Sequence, residues 1–153
     1  MQQVAFRQMT AADDPRSPPA VLLFDDRCGL CNSAVQFVFR HERKRSLRFA
    51  SLHGEYGLEL RARHPELNSV DSMVWLRASD GHAAEVIAIR SDAALLTAEY
   101  LGGLFTLAAI ARLLPRRLRD AVYELIARHR HKLSPAPMVC LIPTPDQRRR
   151  FFD

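Results

Sequence analysis

The sequence has few cysteines and no secretory signal. Its 153 residues include three cysteines, too few for the disulfide framework that stabilises many small secreted domains. Residues 1–19 lack a continuous apolar segment and end in acidic residues and prolines, unlike a signal peptide. We therefore predict a cytoplasmic protein whose residues 1–19 form a flexible lead-in.

Long apolar runs and nucleic-acid motifs are also missing. The longest apolar stretch, Tyr100–Pro115, is shorter than the roughly 20 residues that span a bilayer, and Arg112 interrupts it. We expect a buried helix there, and a helix on a membrane surface is the second interpretation. The net charge of +5 favours anionic partners in general. Without an aromatic RNA-binding motif or zinc-finger spacing, we predict no nucleic-acid partner.

The apolar periodicity that is present predicts alternating strands and helices. The predicted strands are Ala20–Asp26, Ser46–Leu52, Ser72–Ala78 and Ala83–Arg90. The predicted helices run from Cys28 to the basic cluster at 40–45, then Gly54–His64, Ser91–Gly103, Phe105–Leu114 and Arg117–Lys132. Ser91 and Asp92 are expected to cap the helix that they begin.

This order of elements predicts an α/β protein of the thioredoxin-like class. A strand–helix–strand opening gives a parallel strand pair through a right-handed crossover, and the turn signal at Ser79–Gly81 adds an antiparallel hairpin. We predict a four-stranded mixed sheet with flanking helices and a helical C-terminal extension. Residues 20–103 are assigned to the core, and residues 104–153 to an extension and tail of the same domain.

Cys28 and Cys31 lie where the first strand passes into the first helix. Backbone N–H groups and the positive end of the helix dipole meet at that position, and both favour the thiolate, which is the reactive form of cysteine. Residues spaced i and i+3 share one helix face, close enough for a disulfide. We predict that Cys28 attacks a substrate disulfide and that Cys31 resolves the mixed disulfide.

Asp25 and Asp26 follow the same strand and precede the cysteines. A carboxylate here could cap the helix or shape the loop, or it could accept and return a proton during exchange. An ionised carboxylate disfavours a neighbouring thiolate, whereas the helix N-terminus favours it. Both roles stay open for these aspartates.

Two other interpretations of the cysteine pair stay open. The pair could be half of a metal site, but structural zinc usually needs four ligands, and there is no second CxxC. Cys140 and one histidine would have to complete such a site, the candidates being His41, His53, His64, His82, His129 and His131. His129 and His131, two apart on a helix, face different directions. Alternatively, both cysteines are small core residues.

The stretch "LLFDDRCGLCNSAVQFVFRHER" and the later "LRFASL" resemble the DCC family of thiol-disulfide oxidoreductases. That family is defined by a strand–DxxCxxC–helix opening, which Asp25, Cys28 and Cys31 match. The resemblance continues through "SDAALL", "LGG" and "LPRRLRDAVYELIARHRHKL" to "CLIPTPDQRRRFFD". It implies a thioredoxin-like fold and an enzyme with these three catalytic residues, no bound cofactor and no metal. Its implied partners are a thiol- or disulfide-containing substrate and an external electron donor or acceptor.

The sequence departs from the family and from thioredoxin at two places. Asp26 stands where family members often carry glycine. The stretch "SVDSMVWL" has no proline where thioredoxin places a cis-proline before its third strand, so Asp71 or Ser72 is expected to face the cysteines. The alternative to an enzyme is a thioredoxin-like interaction or metal-binding module.

Three features lie further from the cysteine pair. Cys140 matches a late family cysteine and is either a third redox thiol or, as we expect, a buried tail residue. Trp75 is expected in the core. The tail "QRRRFFD" is expected to be solvated and basic, with Phe151 or Phe152 as an anchor.

Overall fold

A computed structural model describes residues 20–77, 85–129 and 144–152. Four strands form one mixed sheet in the order β2-β1-β3-β4. They are β1 Val21–Phe24, β2 Arg48–Ser51, β3 Val74–Arg77 and β4 Val86–Ile89. Strand β1 pairs in parallel with β2 and antiparallel with β3, and β3 pairs antiparallel with β4. The predicted thioredoxin-like mixed sheet is confirmed, while the turn at 79–81 lies outside the described residues.

Helices flank this sheet. They are α1 Gly29–His41, α2 Glu55–Arg63, α3 Arg90–Leu101, α4 Arg116–Arg128 and the short α5 Pro145–Arg148. Two 3₁₀ segments, Pro65–Ser69 and Gly103–Leu113, complete the described elements. Gly57 lets α2 lie directly on the end of β2, because a Cβ there would meet the Ser51 carbonyl oxygen at 2.3 Å.

The core occupies both faces of the sheet, which explains why β1 reads as an unbroken apolar run. Leu22 and Phe24 face one apolar cluster together with Trp75. Val21 and Leu23 face the other cluster. Trp75 is 2% exposed, so its predicted place in the core is confirmed.

The expected buried helix at Phe105–Leu114 is wrong in both shape and burial. Positive φ angles of 68° and 59° at Gly102 and Gly103 redirect the chain after α3, and a 3₁₀ helix follows. Its three-residue turn places every third residue on one row. That row is apolar and exposed: Leu104, Leu107, Ile110 and Leu113. Among the described residues, no helix combines the length and apolarity needed to span a membrane.

The C-terminal tail docks on the free edge of β2. Phe49 donates its N–H to the Arg150 carbonyl at 2.9 Å, and Phe152 donates its N–H to the Phe49 carbonyl at 3.0 Å. Phe151 packs against the core, as predicted. The expectation of a solvated basic tail is wrong at Arg150, because its guanidinium donates to the Glu42 carboxylate, which is 2% exposed.

Candidate active site

The first turn of α1 holds both cysteines where the sequence places them. Cys28 is the N-cap residue, with φ −99° and ψ 115°. Its N–H donates to the Asp25 carbonyl at 3.1 Å, and its own carbonyl accepts the Asn32 N–H at 3.0 Å. Cys31 lies within the first turn. Both side chains are free thiols.

Burial controls the chemistry of this pair. Cys28 is 5% exposed, and Cys31 is half-buried. Burial, followed by a hydrogen bond between the two cysteine side chains, raises the pKa of Cys31 from an ordinary 9.0 to about 12, whereas a backbone hydrogen bond from Asp25 acts in the opposite direction. Cys31 is therefore held as a thiol at neutral pH.

Asp25 shapes the loop rather than capping the helix. Its Oδ1 accepts the Arg27 N–H at 3.0 Å, which is a local turn, and no side chain caps α1. The Asp25 side chain is 14% exposed, and its Oδ1 lies 3.5 Å from Nε2 of His53. Asp26 contributes its carbonyl oxygen, which accepts Nδ2 of Asn32 at 2.9 Å.

His53 joins the two aspartates, although nothing local in the sequence marks it. Asp25, Asp26 and His53 offer ligand atoms that all lie within 4.8 Å of one another. The cause is strand register: β1 and β2 run in parallel with Phe24 opposite Ser51, so the residues that follow both strands meet.

The structure thus gives the metal alternative a different set of donors from the predicted one. In the described part of the chain, the group formed by the two aspartates and His53 includes neither cysteine. Both aspartates precede Cys28, and three donors are one fewer than a structural zinc site needs. Cys140 lies outside the described residues, and so do the predicted metal site that includes it and its predicted alternatives as a third redox thiol or a buried tail residue.

A cavity of about 150 Å³ opens onto both cysteines. Its walls come from α1, from the loop before β3 and from α4. The lining residues are Cys28, Leu30, Cys31, Ala34, Asp71, Ser72, Met73, Tyr123, Ile126 and Ala127. Asp71 and Ser72 therefore face the pair as predicted, whereas the contribution of α4 was not predicted from the sequence.

Helix α4 is fixed beside the site by polar contacts with α3. Arg119 Nη1 lies 2.8 Å from the Asp92 carboxylate and Arg116 Nε lies 3.1 Å from it. Ser91 Oγ donates to Asp120. The expected capping role of Ser91 and Asp92 is wrong, because α3 begins at Arg90 and has no side-chain cap.

Tyr123 connects α4 to the loop before β3. Burial raises the pKa of its hydroxyl, and a backbone hydrogen bond from Met73 holds it. Sequence periodicity places Tyr123 on α4 but does not show that this helix reaches the cysteines.

A thioredoxin-like sheet with a CxxC pair at the start of its first helix defines the class of thioredoxin-like CxxC proteins. Residues 22–136 match the family described as DCC1-like thiol-disulfide oxidoreductase. The chain belongs to this family, as its DxxCxxC opening indicates.

Two relatives extend the comparison. The chain is 33% identical over 136 residues to the uncharacterized protein YuxK of Bacillus subtilis (strain 168), covering 88% of this chain and 95% of that protein. It is 35% identical over 114 residues to the DCC family protein At1g52590, chloroplastic, of Arabidopsis thaliana, covering 74% of this chain and 63% of that protein. No solved structure matches the chain.

Proposed function

We propose that the protein is an enzyme that catalyses thiol-disulfide exchange through Cys28 and Cys31. The observation that carries this proposal is the cavity, because both Cys28 and Cys31 line it at the N-terminus of α1. The family description agrees with this chemistry. The proposed partners of the protein are a thiol- or disulfide-containing substrate and an external electron donor or acceptor. In the reducing direction that external partner is a dithiol reductant.

In the reducing direction, the Cys28 thiolate attacks one sulfur of the substrate disulfide. A Cys28–substrate disulfide forms, the substrate S–S bond breaks, and the leaving thiolate takes up a proton. Cys31 then loses its proton and attacks Cys28, which forms the Cys28–Cys31 disulfide and releases the second substrate thiol. The substrate gains two electrons and the cysteine pair loses two, so the dithiol reductant must restore the pair.

The raised pKa of Cys31 supports its role as the resolving thiol. Cys31, with a pKa raised to about 12 by burial, stays protonated while Cys28 reacts. Its proton must leave before the second step, and Asp25 is the proposed acceptor or orienting group. The half-buried Asp25 carboxylate disfavours the Cys31 thiolate through its charge, which indicates that the two groups are electrostatically linked.

Trapping the mixed disulfide tests the proposal. We expect Cys31→Ser to accumulate a covalent Cys28–substrate adduct, visible by mass spectrometry, whereas Cys28→Ser forms none. Wild-type protein equilibrated with thiol–disulfide buffers should give one two-electron couple. A potential of about −270 mV indicates a reductant, and one of about −120 mV indicates an oxidant.

Two results would contradict the proposal. One is wild-type protein that exchanges no faster than Cys28→Ser with a small disulfide. The other is bound zinc at one ion per chain that is lost in Cys28→Ser, which would favour the metal-binding alternative.

A further inference from the structure

The cavity beside the cysteine pair has a largely apolar wall, and apolar side chains continue from this wall along the protein surface. Cys28 is 5% exposed, so a substrate sulfur must enter the cavity that opens onto it. Leu30, Met73 and Ile126 supply apolar parts of its wall. A volume of about 150 Å³ is below the roughly 300–1,000 Å³ of pockets that enclose whole small ligands. It suits one apolar side chain next to the reacting sulfur.

Helix α4 continues that wall along the surface. Leu118, Val122 and Ile126 recur at i, i+4 and i+8, so they lie along one face of the helix. They are 50%, 51% and 47% exposed. At 1.5 Å per residue the row is about 12 Å long. Its last member, Ile126, also lines the cavity, so the row ends there. Leu118, Val122 and Ile126 are called the α4 stripe below.

A polar hollow of about 360 Å³ lies next to the cavity. Asp71, Ser72, Tyr123 and Ala127 line both spaces. Arg90 and Arg128 add donors in the hollow, and Glu124 adds an acceptor. Both signs of charge at this site fit the amide groups of a polypeptide better than a ligand of one charge.

We propose that the cavity and the α4 stripe bind the apolar residues that flank the reacting cysteine of a polypeptide disulfide. The inference rests on the proposed exchange activity and names its substrate class. Continuity with the proposed exchange site favours this occupant: the stripe ends at Ile126, which lines the same cavity as Cys28 and Cys31, so a disulfide-bearing chain bound along the stripe can reach the cysteines. Apolar residues beside a disulfide are most accessible in an extended or incompletely folded chain.

Two matched peptides test the inference. Each carries one cysteine in a mixed disulfide with the same chromogenic thiol, and the flanking residues are leucine in one peptide and serine in the other. We expect reduced wild-type protein to react about tenfold faster with the leucine peptide, the ratio that corresponds to partial burial of one leucine side chain.

The α4 stripe should account for this preference. Val122→Ser and Ile126→Ser are expected to bring the ratio of the two rates toward one. Leu107→Ser, which removes an equally apolar side chain that is 57% exposed in the 3₁₀ segment, should keep it. Circular dichroism of each variant checks that the fold is retained.

The possible failures can be told apart. Wild-type reaction with both peptides at equal rates overturns the inference and leaves the exchange activity standing. No reaction with either peptide or with a small disulfide overturns both. A third outcome is that the wild-type protein shows no peptide preference but self-associates in sedimentation experiments or binds anionic phospholipid vesicles. If Val122→Ser abolishes that association or binding, the inference is overturned in favour of another occupant.

Discussion

Cys31 illustrates how a half-buried thiol couples site chemistry to stability. Burial and the neighbouring Cys28 raise its pKa from 9.0 to about 12. Between these values the unfolded chain has lost the Cys31 proton and the folded chain keeps it. The folded state then binds more protons, so the free energy of unfolding falls as pH rises. Below pH 9 the contribution is complete.

We therefore predict that Cys31→Ala flattens the loss of stability between about pH 9 and pH 12. The measurement is urea denaturation of wild-type and variant protein under reducing conditions across that range. Lysine, arginine and tyrosine also titrate there, and the comparison between the two proteins removes their common effect. Parallel stability curves would show that Cys31 ionises alike in both states.

Asp25 acts at the same scale, through charge. The Asp25 carboxylate is one of the groups that raise the pKa of Cys31. We expect Asp25→Asn to lower the pH at which Cys31 ionises. The ultraviolet absorbance of the thiolate, measured against pH in a Cys28→Ser background, reports this ionisation. Asp26→Asn, whose side chain is exposed, is the matched control and should move this titration less. An equal shift in both variants would remove the special role of Asp25.

The Glu42–Arg150 pair is the residue-scale contact on which the tail depends. Glu42 is 2% and Arg150 14% exposed at the side chain, and Arg150 also donates to the Leu47 carbonyl at 2.7 Å. Arg150→Met leaves the Glu42 carboxylate buried without its cation, although the Tyr100 hydroxyl still donates to it at 2.9 Å, and this should lower the free energy of unfolding by about 3 kcal/mol. Chemical denaturation measures this.

Two variants check that assignment. Adding Glu42→Gln to Arg150→Met should recover part of the loss, because no buried charge then lacks a partner. Arg148→Met, on the exposed side of α5, should change stability by less than about 0.5 kcal/mol. Equal destabilisation by Arg148→Met and Arg150→Met would contradict the role of the buried pair.

At the scale of elements, local patterns predicted what local forces determine. The apolar run "VLLF" and the paired glycines after Leu101 gave β1 and the end of α3. The capping box formed by Thr144 and Gln147 is also a local signal. The proline-rich composition of the tail hides it, and the apolar periodicity predicts no helix there. Ser91 and Asp92 have the composition of a cap, but tertiary contacts with α4 use them instead. Composition does not reveal which of 17 acidic residues meets which of 22 basic ones.

The same distinction divides the candidate site. Asp25, Cys28 and Cys31 lie within seven residues at the junction of β1 and α1, so spacing alone could name them. His53, Tyr123 and Ile126 arrive through strand register and helix docking, which no short motif records.

Helix α4 depends on its contacts with α3 to stay beside the cysteines. Asp92 and Arg119 are each 13% exposed at the side chain. We predict that Asp92→Asn lowers the free energy of unfolding by about 1–3 kcal/mol and speeds hydrogen exchange in α4 more than in α1. Glu124→Gln is the control for an exposed contact, because its 3.7 Å contacts with Arg90 of α3 and with Arg128 are both solvent-exposed and such pairs contribute about 0–1 kcal/mol. Unchanged exchange in α4 would mean that other contacts hold it.

At the scale of the whole molecule, the tail completes the sheet. An open strand edge invites pairing with other chains, and the Phe49–Phe151 bridge covers part of the outer edge of β2. Phe151 stacks on Phe49 with ring centroids 5.5 Å apart and meets Phe39 at 6.0 Å. A segment about 100 residues distant in sequence thus becomes part of the first core cluster. Sequence reasoning named the anchor but not the β2 edge that receives it.

Phe151 and Phe152 provide a matched pair for testing this closure. Phe151 packs on the core, whereas Phe152 is 50% exposed and stacks on Tyr56 at 4.6 Å. We expect Phe151→Ala to cost about 2–3 kcal/mol, below the value for a fully buried phenylalanine, and Phe152→Ala about 1 kcal/mol or less. Thermal and urea unfolding measure both. Because Phe151→Ala also frees the β2 edge, it should aggregate at lower temperature than Phe152→Ala. If both variants lose the same free energy of unfolding, or aggregate at the same temperature, the tail adds surface contact without covering the β2 edge.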